Sequence, residues 1–316
     1  MAATQSRRKI LIIRLGAFGD VLQSEGAIHD IRLAHPGDEI TLLTTKPFRR
    51  IYERCPWIDR IMVDPRAPRL NVMSLLRLRR ELRDERFELI YDLQNSSRTL
   101  MYRNWLDAEW SQKDEAFLSL QSKRLGRRLS ILERLKFQLE QAGLETSHTM
   151  RPDVSWMADD VTALMEANAL KPGFILLLPG SSLRHPQKRW PHYGPLAQSL
   201  IDNGHQVVTA PGPDEMGLCQ SLPAQAILDQ GKPITFNALA GLIRHAKLII
   251  GNDTGPTHLA AYLGAKGLAL FGSHTSARAT GLDAFLDIIE VKDLATLQRD
   301  EVMARVKKLS GEFQKP

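Results

Sequence analysis

The stretch from Gly251 to Ala261, GNDTGPTHLAA, follows the apolar run Leu248, Ile249, Ile250 and leads into a pattern rich in Ala and Leu. A strand end, a tight turn and a helix start are compressed into one segment. Asp253 and Thr254 are helix-capping residue types, Gly255 lets the backbone approach a ligand, and Pro256 suits a first helical turn, where its missing N–H costs nothing. The unpaired N–H groups of a helix start favour an anion. Apolar residues resume in Gly267 to Gly272, GLALFG, giving strand, helix and strand. This is the unit of a parallel sheet, whose ligands sit beyond the strand carboxyl ends. Asp253 to Pro256 therefore reads as a phosphate or sugar pocket, with a merely well-capped helix start as the alternative.

The same alternation runs through the rest of the chain. Lys9 to Leu15 (KILIIRL) reads as a buried parallel strand, followed by a turn from Gly16 to Asp20 and a helical segment to about Ala34. Glu39 to Thr44, Arg60 to Val63 and Glu88 to Asp92 are further strands. Met73 to Arg86 places Met73, Leu76 and Leu82 at helical spacing among five arginines, a basic amphipathic helix, and Lys123 to Lys136 repeats the theme. Arg151, Pro152 and the polar stretch to about Asp160 read as a linker. Beyond it, Phe174 to Leu178, Gln206 to Thr209, Ala226 to Leu228, Leu248 to Ile250 and Leu268 to Phe271 are strands. The basic-ended stretch Leu294 to Leu309 is helical in pattern, and either packs back on the first domain or closes the second. The fold class is α/β, with domains at 1–155 and 156–316, as expected for a chain of 316 residues.

Composition narrows the function. No apolar run approaches the ~20 residues of a membrane span, and MAATQSRRKI leads straight into a strand, so a cytoplasmic location is expected. Cys55 and Cys219 have no metal-ligand spacing and are too few for a disulfide framework. Residues 1–155 carry 27 Lys and Arg against 21 Asp and Glu, while residues 156–316 carry 15 of each, so the whole +6 lies in the first half. That half should face something acidic. Nucleic-acid signatures are absent, and a phosphorylated small molecule or an anionic membrane surface fits better.

Two further loops carry candidate chemistry. Gly16-Ala17-Phe18-Gly19-Asp20 leaves the first strand and opens a helix, so Asp20 would sit where a general base belongs, at a strand carboxyl end facing an interdomain cleft; an N-cap is the alternative. The loop Pro179 to Pro191 (PGSSLRHPQKRWP) sets a Gly and two hydroxyls at a strand end before Arg and Lys, a cradle for a pyrophosphate without any metal. It lacks the G-K-[ST] of a nucleotide-hydrolysing loop.

Together, KILIIRLGAFGDVL, PGSS…KRWP and IIGNDTGPTHLAA…LALFG, in order and spacing along nearly the whole chain, resemble glycosyltransferase family 9, the ADP-heptose:lipopolysaccharide heptosyltransferases. The resemblance implies a GT-B architecture: two Rossmann-like domains with parallel sheets facing across a cleft, the N-terminal one for the acceptor and the C-terminal one for the nucleotide sugar. It implies metal-independent transfer of a heptose from an ADP-activated donor, with inversion, to an acidic lipid-linked saccharide at the cytoplasmic face of the inner membrane, with no cofactor. On matching positions, Asp20 would be the base and Lys188 would neutralise the departing pyrophosphate. Ser181 and Ser182 would contact phosphate, Glu215 the ribose, Asp253 the sugar hydroxyls, and Thr254 and Gly255 the phosphates through their N–H groups. His258 would reach the sugar, or is a satisfied buried histidine. Gln94 and Arg98 lie in the polar segment after Asp92 and are placed near the acceptor, with a structural Arg98 as the alternative.

The chain departs from the family at three places. Gly26 stands where the family usually has Pro after the Asp20 turn, putting Glu25 near the proposed base; Gly272-Ser273-His274-Thr275 replaces Gly-Pro-Thr after the last strand; and Lys266-Gly267 replaces a Pro-containing pair. Another donor sugar, another acceptor, a Rossmann oxidoreductase and a non-catalytic family member remain as alternatives; the last two are opposed by the missing G-x-G-x-x-G and by retention of Asp20, Lys188 and Asp253.

Overall fold

The computed structural model describes residues 7–68, 71–111 and 129–311. The chain divides into two compact units, Met1–Pro152 and Asp153–Pro316. In the first, β1 (Lys9–Ile13), β2 (Glu39–Thr45), β3 (Arg60–Asp64), β4 (Leu89–Asp92) and β5 (Glu109–Trp110) form one sheet in the order β3-β2-β1-β4-β5. Every ladder is parallel. The central strand is Ile10 to Ile13 without interruption because both its faces are covered, so no polar alternation is needed. Leu11 and Ile13 pack with Leu43, Ile90, Tyr102 and two residues of the helix Val72–Asp84, Leu78 and Leu82.

That helix is the expected basic one, but its buried stripe differs from the expectation. Leu78 and Leu82, one turn apart, face the core, while Val72, Met73 and Leu76 are exposed. Of the second basic segment, Lys123 to Arg128 lies outside the described residues, and Arg134 and Lys136 belong to the helix Ile131–Gln141.

The second unit holds β6 (Ile175–Leu178), β7 (Val207–Thr209), β8 (Gln225–Ala226), the hairpin β9 (Leu228–Asp229) and β10 (Lys232–Pro233), then β11 (Leu248–Asn252), β12 (Gly267–Phe271) and β13 (Asp287–Glu290). The main sheet is parallel, in the order β13-β12-β11-β6-β7-β8. The expected strand Ala226 to Leu228 is in fact the end of β8 and the start of β9, which belong to different sheets. This is a doubly wound Rossmann-like order, with the switch point between β6 and β11. The first unit has its own switch point between β1 and β4. Two Rossmann-like parallel-sheet units make the fold class α/β of GT-B type.

The C-terminal helix, Arg299–Ser310, buries Val302, Met303 and Val306 in the same cluster as Ile175, Leu177, Leu248 and Trp190, so it closes the second unit. Among the described residues, no helix is long and apolar enough to cross a membrane.

Candidate active site

In the first unit the turn after β1 leads into the short helix Phe18–Gln23, with Asp20 in its first turn. The Asp20 carboxylate accepts from the Ala17 N–H at 2.9 Å through Oδ2, closing the turn, and its side chain remains 38% exposed. Its other oxygen lies 3.6 Å from Nη2 of Arg14, a residue at the end of β1 that is 3% exposed. Arg14 also donates from Nε to the Asp20 carbonyl and from Nη1 to the Leu93 carbonyl. Burial lowers its pKa, with Asp20 the chief opposing charge. A buried cation under an exposed carboxylate is a feature that the sequence reading missed. Arg14 falls inside the run Lys9 to Leu15 that reads as a buried strand, and the sequence assigns it no role.

Gln94 lies at the switch point beside this turn, its Oε1 accepting from the Leu15 N–H at 2.8 Å. Asp92 is buried, its carboxylate accepting from the N–H groups of Gln94 and Asn95. Arg98 is directed elsewhere. It forms a fork with Asp64, Nε to Oδ2 at 2.8 Å and Nη2 to Oδ1 at 2.7 Å, and Nη1 donates to the Ala67 carbonyl. Asp64 also accepts from the Tyr102 hydroxyl and its side chain is fully buried. The guanidinium is thus engaged inside its own unit, which is the structural alternative for this residue.

Glu25 is buried and accepts from the indole N–H of Trp57 at 2.8 Å, so it is committed to packing. Gly26 has no room for a side chain: a Cβ there would collide with the His148 carbonyl. The segment carrying His148 and Thr149 is fastened by Asp30, which accepts from both of their N–H groups and from the Thr149 hydroxyl. The chain also breaks its helix at Ser24, whose hydroxyl bonds the Val21 carbonyl.

The second unit gathers its candidates at the carboxyl ends of β6, β7, β11 and β12. After β11, Thr254 takes the N-cap of the helix Gly255–Tyr262 with extended backbone and no side-chain cap, and Pro256 lies in the first turn. Gly251 has no room for a side chain, since a Cβ there would meet the Thr257 hydroxyl that bonds the Asn252 carbonyl. The buried amide of Asn252 ties the turn to the loop after β6, donating to the Pro179 and Gly180 carbonyls and accepting from the Trp190 N–H.

Asp253 is the hub. It is 3% exposed, and its Oδ2 accepts from Lys188 Nζ at 2.7 Å and lies 3.0 Å from His274 Nε2, while Oδ1 lies 3.3 Å from His258 Nε2. Lys188 Nζ also donates to the Asp253 carbonyl at 3.1 Å. Burial by itself would push the Asp253 carboxyl up. The hydrogen bond and charge of His258, then those of Lys188, outweigh it and hold the carboxyl well below the usual carboxylate range. Lys188 reaches this place from the 3-10 turn Pro186–Lys188, and two residues later Trp190 is anchored in the core with its indole N–H on the Leu297 carbonyl.

Around this hub, Ser181 is buried and its hydroxyl bonds the His185 carbonyl, while Arg189 donates to both the hydroxyl and the carbonyl of Ser181. Arg189 therefore pins the loop, and the Ser181 hydroxyl is part of that pin. Ser182 is exposed, its hydroxyl accepting from the Arg184 N–H. Glu215 follows β7 in a 3-10 turn and accepts from the Gly212 N–H at 3.0 Å. Its carboxylate lies over Gly180, where any Cβ would collide with it. Lys188 and His258 both contact Asp253, Glu215 lies against the loop of Ser181 and Ser182, and His274 joins them unannounced. Its only sequence signal was a departure from the family pattern. Among the described residues, no group of three or more His, Cys, Asp or Glu is arranged to hold a metal ion.

A family model described as glycosyltransferase family 9 (heptosyltransferase) matches residues 75–307. Lipopolysaccharide heptosyltransferase 2 of Escherichia coli K12 is 25% identical over 309 residues, covering 84% of this chain and 82% of that protein. A solved glycosyl transferase family 9 protein from Veillonella parvula superposes with a TM-score of 0.78 at 18% identity, over 96% of this chain and 97% of that one. The E. coli heptosyltransferase WaaC with ADP does so with a TM-score of 0.73 at 17% identity, over 95% and 99%. At such identities the two structures speak for the fold.

Proposed function

The chain belongs to glycosyltransferase family 9, and from that premise we propose that it moves a heptose from ADP-heptose to an acidic, lipid-linked saccharide of the lipopolysaccharide inner core, with inversion and without a metal. The observation that carries this reading is the convergence of Lys188, Asp253 and His258 at the Gly255–Tyr262 helix start, beside the Glu215 carboxylate at Gly180. A nucleoside diphosphate needs positive charge for its phosphates and acceptors for its ribose and sugar hydroxyls, and these residues supply both. The relative's name, lipopolysaccharide heptosyltransferase 2, supports the choice of sugar and acceptor, and the solved WaaC complex supports ADP as the nucleotide.

The reaction is a single displacement. Asp20 takes the proton of the acceptor hydroxyl as its oxygen bonds to the anomeric carbon. The bond from that carbon to the diphosphate oxygen breaks, and its electron pair leaves with ADP. Lys188 turns from Asp253 toward the diphosphate and, with the helix N-terminus, stabilises the charge that builds there. Asp253 and His258 hold the sugar, Thr254, Gly255 and Ser182 meet the phosphates, and Glu215 holds the ribose. Gln94 borders the acceptor. The protein works at the cytoplasmic face of the inner membrane, to which the basic first unit is attracted.

The test is transfer from ADP-heptose to a heptose-free inner-core acceptor in EDTA, with NMR assignment of the new linkage. The expected product carries one added heptose whose anomeric configuration is opposite to that of the donor. No transfer with any core acceptor, or retained configuration, contradicts the reading.

A further inference from the structure

His274 is where this chain departs from its family after β12, and it contacts the hub of the donor cluster. Its Nε2 lies 3.0 Å from Asp253 Oδ2, the same oxygen that accepts from Lys188 Nζ at 2.7 Å. Its Nδ1 is buried and has no hydrogen-bond partner, and it lies against Gly272, where a Cβ would be 3.4 Å away. Burial lowers the His274 pKa, with Asp253 opposing, so the imidazole is the neutral form at pH 7 and its one proton belongs on Nε2, facing the carboxylate.

Lys188 has two claims on it in the proposed reaction, which this inference presupposes. In the ligand-free protein it is bound to the side chain and the carbonyl of Asp253. A donor diphosphate draws the ammonium away, and a carboxylate as buried as Asp253 cannot be left with its oxygen unpaired without a large cost. His258 covers only Oδ1. We propose that His274 is a positioning residue that keeps Oδ2 of Asp253 hydrogen-bonded while Lys188 turns to the diphosphate of the donor.

Two consequences separate this from a packing role. The donor at Nε2 is what matters, so Gln, whose amide nitrogen reaches the place of Nε2, should restore function, whereas Asn, whose amide falls short, should not. The effect also passes through Lys188, so it should vanish when Lys188 is gone.

The experiment is calorimetric titration with ADP of the wild type, His274→Ala, His274→Gln, His274→Asn, Lys188→Ala and the Lys188→Ala/His274→Ala double variant, with far-UV circular dichroism confirming the fold of each. The expected result is a loss of affinity of about ten-fold for the Ala and Asn variants, the worth of one charge-assisted hydrogen bond, with Gln within about three-fold of the wild type. In the Lys188→Ala background, removing His274 should change little. An equal loss in both backgrounds, or equal affinity for the wild type and His274→Asn, overturns the proposal. Should His274→Ala fail to fold, the Gln and Asn pair decides. A wild type that binds no ADP at all takes down the functional reading on which the inference rests. A wild type that binds ADP alongside unaffected variants takes down the inference alone.

Discussion

Asp20 and Asp253 stand at corresponding places, each in the turn where a parallel strand of its unit's switch point passes into a helix, yet their surroundings are opposite. Asp253 is 3% exposed and meets Lys188, His258 and His274; Asp20 is 38% exposed, and among the described residues the cation at its side chain, Arg14, is 3.6 Å away and buried. A carboxylate held low among a lysine and two imidazoles is a fixed charge and a fixed acceptor. One that is exposed and oriented by a single backbone N–H can receive a proton from something that arrives. The same residue in the same kind of turn is thereby suited to holding in one unit and to reacting in the other.

The largest effect that would break this contrast is on turnover. Asp20→Asn keeps the shape of the turn and loses the proposed base, so kcat should fall by roughly 10²–10⁴-fold while ADP affinity stays within about two-fold. Steady-state kinetics beside an ADP titration read both, and a variant with full turnover removes Asp20 from the chemistry. A second test extends the contrast to a buried carboxylate of the first unit, Asp64. Arg98→Ala strands Asp64, whose side chain is fully buried, and should cost about 3 kcal/mol in denaturant unfolding. If the change instead raises the acceptor KM and leaves stability alone, Arg98 belongs to the acceptor site.

Asp253→Asn should cost about 1–3 kcal/mol near neutral pH. The folded carboxyl lies below its unfolded value of about 3.9, so its stabilisation is complete above that pH and is lost as pH falls toward the folded value. Wild type and variant should therefore converge in urea midpoint below about pH 4. A gap that stays constant with pH would mean that the charge contributes nothing. The smallest expected effect is Arg60→Ala. Arg60 pairs with Glu39 and with Glu85, whose carboxyl is lowered to about 2 chiefly by its bond to Arg60, but the guanidinium is exposed and water screens the pair. A loss below about 1 kcal/mol is expected.

The central strands were legible because burial on both faces demands unbroken apolar runs, and KILII, ILLL and LIIGN announce themselves. Edge strands carry no such demand. Glu109–Trp110 is two residues long, and Asp287–Glu290 has charged ends and only one fully buried residue, so neither stood out. The need for glycine at Gly26 comes from the backbone segment at His148, more than a hundred residues away. No local pattern records such a contact. Within the candidate site, the motif residues Lys188 and His258 both meet Asp253, because the strand ends of a parallel sheet bring successive turns to one rim. Arg14 and His274 were not legible, since the burial of the one and the contact of the other with Asp253 depend on residues distant in sequence.

The most direct test of the whole account is calorimetric titration of the wild type, in EDTA, with ADP, UDP, GDP and NAD. Preferred binding of ADP without metal is the predicted result. Preference for UDP or GDP would leave the fold in place and overturn the donor, and preference for NAD would contradict the account altogether.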